Sequence, residues 1–475
     1  MYELDRDVRL DTQTDDITIG VVGGGSRAWA RNLMNDLAGC PHLNGTVRLY
    51  DVDQYSAQQN TALGNRYDEH PGAVSDWTYV AVDTLAEALE DADFVICSTQ
   101  DPPSETMKYD LDIPAEYGIH QSVGDTIGPG GCIRALRTVP QYLEIGRAVR
   151  KHCPDAWVFN FTNPMTVCVR TLYEAYPDIN AIGLCHEVYG VQKHIAALVN
   201  KYLEPPEKAR GRNIDINVKG INHFTWVDEA RWNGRDLTPL LDRELAEKEP
   251  LPEFEPGELS DASYYHDGNN VAYDLYRRFG AFAAAGDRHL AEFLPGYLTS
   301  EPDVHRWGFK LTPSEYRVET WPNEEQRRQA ILDGEEELEL VDTGEEMVDI
   351  MCALAGLEPV RTNVNVPNRG QCPDLQCGAV VETNALITAD ACKPQTAGKL
   401  SPQVRSLVER HVTNQETLVD AGVAGDLDLA FQAFRNDPLV STIQASEVES
   451  LFGDLISAQK EYFGAYDIDA ATVLS

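Results

Sequence analysis

The run Ile17-Thr18-Ile19-Gly20-Val21-Val22 ends on Gly23-Gly24-Gly25-Ser26 and passes straight into residues 28–37, where Trp29, Leu33 and Leu37 share one helical face. β-Branched residues, then glycine, then a 3.6-residue apolar period spell strand, tight turn and helix. Glycines at such a turn let backbone N–H groups approach a pyrophosphate, and the helix N-terminus behind them favours an anion. Ala28 stands where the G-x-G-x-x-G pattern has its last glycine, a position that accepts a small residue. A glycine turn holding no ligand is the plainer alternative, so the rest of the chain has to support the reading.

Strand-forming stretches recur at 46–50, 78–82, 94–98, 157–161 and 181–184, with helical patterns between most of them. That alternation predicts an α/β fold, a doubly wound parallel sheet of the Rossmann type seen in lactate and malate dehydrogenases. Asp51 closes the second strand, where a carboxylate meets the adenosine ribose hydroxyls and repels a 2′-phosphate. This favours NAD over NADP; Arg27 beside the turn pulls the other way, and a surface aspartate at a strand end is the plain alternative. After residue 200 the pattern changes to β stretches at 214–219 and 224–231, a Leu-rich helix from Pro239, an acid-rich section at 243–261 and a strand pair at 364–366 and 379–382. The expected organisation is a tail (1–16), a nucleotide-binding domain (17–200) and a C-terminal α+β lobe for substrate, metal and oligomer contacts (201–475).

The chain carries 77 acidic against 39 basic residues, a formal net charge of -38 spread along its 475 residues. Such a field excludes nucleic acid as a partner. Glu244, Glu247, Glu249 and the cluster Glu335, Glu336, Glu337, Glu339 read as solvated helix faces, and the composition resembles that of proteins from salt-in halophiles. In molar salt the Debye length falls to about 3 Å, so the self-repulsion is screened while the carboxylates keep the surface hydrated. No apolar stretch is long enough to span a bilayer, and residues 1–16 are charged with no apolar signal core. The ten cysteines are expected to be reduced thiols of a cytoplasmic protein with no membrane partner. Cys372 and Cys377 are too isolated for a structural zinc.

Cys185 follows an apolar strand, His223 stands in Gly220-Ile221-Asn222-His223 against another β stretch, and Asn163-Pro164 follows a third strand end. Carboxyl ends of parallel strands are where open α/β sheets bind ligands. A lone buried cysteine is usually core. A thiolate and an imidazole from separate segments, however, leave coordination positions open for substrate oxygens, as a catalytic divalent metal requires. Metal and dinucleotide chemistry on one chain point to redox-assisted sugar chemistry.

These segments, with Gly128-Pro129-Gly130-Gly131, Ala135-Leu136-Arg137-Thr138, Gly286-Asp287-Arg288-His289, Val366-Pro367-Asn368 and Ala379-Val380-Val381-Glu382, resemble glycoside hydrolase family 4 in order and over nearly the whole chain. That family stands outside the two-carboxylate scheme of most glycosidases. The resemblance implies NAD and a divalent metal, Mn2+ first among the choices. It implies hydride removal from sugar C3, loss of the C2 proton to a base, elimination of the C1 oxygen, addition of water and return of the hydride. NAD is required but not consumed.

Carried over by position, Cys185 and His223 would hold the metal and Asn163 would lie at the sugar hydroxyls. His186 would protonate the leaving oxygen, or brace a metal ligand. Asp287 would take the C2 proton, with Tyr264 and Tyr265 in reserve. Cys185-His186-Glu187-Val188 resembles the family's α-galacturonidase version, in which Glu187 would bind a hydroxyl or fix His186 or an arginine. A uronate carboxylate needs a cation, Arg288 first and Arg134 or Arg369 behind it. The expected substrate is an α-galacturonide of a small pectin-derived oligosaccharide or glycoside, with α-glucuronides and α-galactosides as near alternatives. An NAD-dependent dehydrogenase of the malate or lactate type is the alternative from a different class, and a catalytically silent nucleotide sensor the third. Dimers or tetramers among relatives imply a homo-oligomer.

Overall fold

Six short strands, β1 (Ile17–Val22), β2 (Gly45–Tyr50), β3 (Trp77–Ala81), β4 (Phe94–Cys97), β5 (Trp157–Asn160) and β6 (Asn180–Gly183), pair in parallel in the order 3-2-1-4-5-6. The computed structural model describes residues 15–27, 29–100, 106–248, 258–259, 263–341 and 343–474. Ala28, Glu249 and nearly all of the expected tail lie outside them. The inner strands are apolar on both faces because helices cover both, as parallel sheets require. The order reverses between β1 and β4, which opens a crevice at the strands' carboxyl ends. Into that end run the glycine turn after β1, Asp51 after β2, Asn163 after β5 and Cys185 after β6.

A second sheet contains β7 (Asp215–Ile221), β8 (Phe224–Trp232), β9 (Arg235–Asp236) and β10 (Phe282–Ala283). β7 and β8 form a hairpin closed by Asn222 and His223, with Ile221 opposite Phe224. His223 has φ 63, a left-handed conformation that costs a non-glycine residue roughly 1–2 kcal/mol. The strain is spent at the residue expected to bind metal, and the tight turn is what projects its ring.

A division at residue 200 would cut the first sheet. β11 (Val360–Pro367), β12 (Val380–Thr388) and β13 (Ala391–Pro394) return from the C-terminal half and extend it antiparallel, Asn365 pairing with Gly183 of β6. The cause is the open edge of β6, whose backbone groups need partners. Helix Gly128–His152 packs on helices Met165–Ala175 and Pro402–Ala424 and so joins the halves. At its centre Arg137 makes a two-pronged pair with Asp110 (2.9 and 2.6 Å), and both bond Gln459. No helix among the described residues is long and apolar enough to cross a membrane.

Candidate active site

The glycine turn is built by packing. A Cβ on Gly23, whose φ is 92, would lie 2.2 Å from the carbonyl oxygen of Ser98, and one on Gly24 would strike Leu49. The Gly23 and Gly24 N–H groups donate to the Tyr50 carbonyl, and Gly25 N–H donates to Asp51 Oδ2 at 2.8 Å. Asp51 thus lies against the turn, as the sequence placed it, and burial raises its carboxyl above the ordinary range. Arg27 is engaged by Glu325 at 2.5 Å. The helix after the turn, Trp29–Ala38, sets its first ring 4.9 Å from Phe161 and 6.2 Å from His186. That contact joins the dinucleotide turn to the segment carrying Cys185.

Asp125, His223 and His289 come together, each offering a ligand atom within 4.8 Å of the others. The two rings are 3.7 Å apart, centroid to centroid. Thr126 fixes the tautomer: its single hydroxyl proton goes to Asp125 Oδ1 at 2.7 Å, so at His223 Nδ1, 2.9 Å away, it accepts. His223 therefore carries its proton on Nδ1 and keeps a lone pair on Nε2, the state a metal ligand needs. Burial, with His289 beside it, lowers His223 to about 3, so the ring is neutral in the working range. Burial alone would raise Asp125, but His289, His223 and Arg134 hold its carboxyl well below the usual range. The fixed charge of Arg134 is the contribution that needs no imidazole proton, and we take Asp125 to be ionised.

Cys185 is a neighbour of this group and not one of its three members. Burial raises its thiol; Glu187 N–H and the Asn222 side chain bond the sulfur. Asn222 in turn donates to the buried Glu382 at 3.2 Å. Glu187 braces the site: Oε2 accepts the Gly286 N–H at 2.6 Å, and Oε1 lies 3.6 Å from His186 Nε2 and 3.8 Å from His289 Nε2. The His186 side chain is 57% exposed. Asn163 donates to Asp125 at 3.1 Å, and its own Oδ1 is buried with no partner.

Two of the expected residues are engaged by the protein itself. Asp287 is fully buried and its two oxygens accept the N–H groups of Asn270 (2.6 Å) and Ala272 (3.0 Å). It caps helix Asn270–Phe279, whose own N-cap residue makes no side-chain bond, and presents no oxygen to the cleft. Asp267, missed in the sequence, keeps an exposed surface; its Oδ1 accepts the Asn269 N–H at 2.7 Å and its Oδ2 the Asp287 N–H at 3.0 Å, and Oδ2 and Glu187 Oε2 both approach Gly286. Burial of its carboxyl raises it, and the Glu187 charge adds to the effect. Arg288 is a strut. Its Nη2 donates to the Ser122 carbonyl and Thr312 Oγ1, its Nε is shut away, and its guanidinium lies over Tyr265. Tyr264 packs on Tyr316. Asp125, Thr126 and His289 were also missed as site residues; the last stood in the quoted Gly286–His289 segment without a role.

The profile of the family 4 glycosyl hydrolases matches residues 18–201, and that of their C-terminal domain matches residues 218–440. The chain belongs to glycosyl hydrolase family 4. An alpha-galacturonidase of Thermoanaerobacterium saccharolyticum is 46% identical over 97% of this chain and 99% of its own length. The alpha-galacturonidase of Bacillus subtilis is 46% identical over 93% of this chain and 97% of its own. An alpha-galactosidase of the same organism reaches 29% over 94% and 99%. The crystal structure of Bacillus subtilis lplD superposes with TM-score 0.87 at 45% identity, covering 93% of this chain and all of that one. A 6-phospho-alpha-glucosidase from gut microorganisms, solved with NAD and Mn2+, shares the fold at TM-score 0.75 and 20% identity, over 95% and 99%. Membership of family 4 makes the chain a glycoside hydrolase and sets aside the malate or lactate dehydrogenase alternative.

Proposed function

We propose that this family 4 enzyme hydrolyses α-galacturonides with NAD and a divalent metal, Mn2+ first, as cofactors. The observation that supports the reading is the Trp29–His186 contact, which brings the helix after the glycine turn to the segment whose Glu187 lies 3.8 Å from His289 of the Asp125–His223–His289 group. Four alpha-galacturonidases at 40–46% identity over nearly the full chain support the substrate. The donors suit a first-row divalent ion: a neutral imidazole with a free Nε2 lone pair, an ionised carboxylate and a second imidazole, with the Cys185 thiol tied to the His223 turn through Asn222. Glycines that admit close backbone approach, Asp51 at the β2 end and an Arg27 already engaged suit NAD better than NADP.

When bound, NAD supplies reversible oxidation of a sugar carbon and the metal polarises the adjoining oxygens, which together acidify the C2 proton. This chain's residues do the remainder. Asn163 Oδ1 accepts a sugar hydroxyl while Asp125 holds the amide in place. Asp267 receives the C2 proton, the role expected of Asp287. His186, open to the cleft, passes a proton to the leaving oxygen, and Glu187 keeps that ring and His289 aimed.

Aryl release should run at least ~100-fold faster, in kcat/KM, on an α-galacturonide than on the matching α-galactoside, because a site built for a charged substituent leaves buried groups unpaired without it. A preference for the galactoside, or turnover that persists after NAD is stripped, would overturn the reading. The proposal extends to a homo-oligomer working in a salt-rich cytoplasm; the charge of -38 supports the salt-rich medium and the ten free thiols a reducing compartment. Melting temperature should rise between low and molar KCl, and sedimentation in molar KCl should give a dimer or tetramer. Salt-independent melts of a monomer would contradict it.

A further inference from the structure

The geometry points to Arg134 as the residue that binds the C6 carboxylate of the substrate. The inference rests on the galacturonide reading above and identifies the fork that the reading requires. Arg134 lies in the first turns of helix Gly128–His152 and is 9% exposed. Its Nε donates to the Asn163 carbonyl at 2.9 Å, which ties the guanidinium to the residue whose amide bonds Asp125 of the candidate metal group and whose Oδ1 is buried without a partner. Among the described residues neither Nη group makes a hydrogen bond, and no carboxylate comes within ion-pair distance of them. Neither Nη is sealed in the interior. A largely buried cation is thereby held by one N–H with its two outer nitrogens unspent, the donor pair that a carboxylate takes bidentately.

Other cations near the cleft are partly committed or lie at the surface. Arg288 donates to Ser122 and Thr312, Arg27 is paired with Glu325, and Arg369 is exposed on a turn. Asp125 does not spend the fork of Arg134 either, because it lies beyond ion-pair distance, though close enough to feel the charge. A substrate whose hydroxyl meets Asn163 would therefore carry its carboxylate toward Arg134.

The test compares Arg134→Gln and Arg134→Lys with the unaltered holoenzyme on aryl α-galacturonide and aryl α-galactoside, with dissociation constants for galacturonate, galactose, NAD and Mn2+. Arg134→Gln should lose ~100-fold or more in kcat/KM on the galacturonide, chiefly through KM, with a far smaller loss on the galactoside; lysine should restore part of it. Galacturonate binding should weaken in step, with NAD binding little changed; Mn2+ binding is followed separately, because Arg134 also supports the charge of Asp125. Equal losses on both glycosides would mean that Arg134 acts only by placing Asn163, and a weakened NAD with unchanged galacturonate would mean that the fork faces the nucleotide; either overturns the assignment. Should the unaltered enzyme ignore galacturonides, the substrate reading fails by itself. Arg134 is then judged on whether its loss removes a preference for galacturonate over galactose in binding.

Discussion

His223→Asn is expected to weaken Mn2+ binding by more than ~100-fold and to lower turnover at least as far, since even an outer partner of a metal ligand commonly accounts for ~10–100-fold. Asparagine is the informative replacement. It tolerates the left-handed backbone at this turn, so the hairpin is kept while the imidazole is removed. Calorimetric titration with Mn2+ reads the loss without relying on turnover. Thr126→Val should follow with a smaller loss, within ~10–100-fold, because it removes only the hydroxyl that places the His223 proton on Nδ1. Unchanged Mn2+ affinity in His223→Asn would show that the group of Asp125, His223 and His289 is not the metal site.

The second large effect is on stability. Arg137 and Asp110 have side chains 2% and 0% exposed, and their two bonds, with Gln459 closing the network, tie helix Gly128–His152 to helix Thr106–Glu116 and the C-terminal end of the chain. Arg137→Met would leave Asp110 charged and buried without its partner, which costs about 3–5 kcal/mol. Arg137→Met with Asp110→Leu should recover much of the loss, because a buried pair set against an apolar pair of similar volume often comes out even. Denaturant unfolding of the two single variants and the double variant measures the coupling. A single-variant loss below about 1 kcal/mol would contradict it.

The features legible in the sequence are those set by local pattern. The β1 turn could be read because its glycines follow a strand and precede a helix, and the structure demands them through contacts with Leu49 of β2 and Ser98 just past β4. His223 was legible as a polar residue at the end of a β stretch. Asp125 and His289 were not: they reach His223 only when helix Gly128–His152 and the Gly286 turn are packed, and no periodicity encodes that meeting. Asp287 was misread because its use is decided by a different element. Helix Asn270–Phe279 begins at Asn269, whose side chain caps nothing, and its orphan N–H groups take the Asp287 carboxylate. Arg288 was assigned to substrate by residue type, whereas Ser122 and Thr312, remote in sequence, had already engaged it. β11–β13 were legible as strands but not as part of the first sheet, since what recruits them is the unpaired edge of β6.

The central claim is that the glycosidic bond breaks by elimination after oxidation, on a cleft where the glycine turn and the Asp125, His223 and His289 group meet. Hydrolysis of an α-galacturonide in D2O, with NAD and Mn2+ present, tests it most directly. The expected product carries one deuteron at C2, visible by mass and by loss of the C2 proton resonance, with no net accumulation of NADH. A product holding only its original proton at C2 would contradict the account.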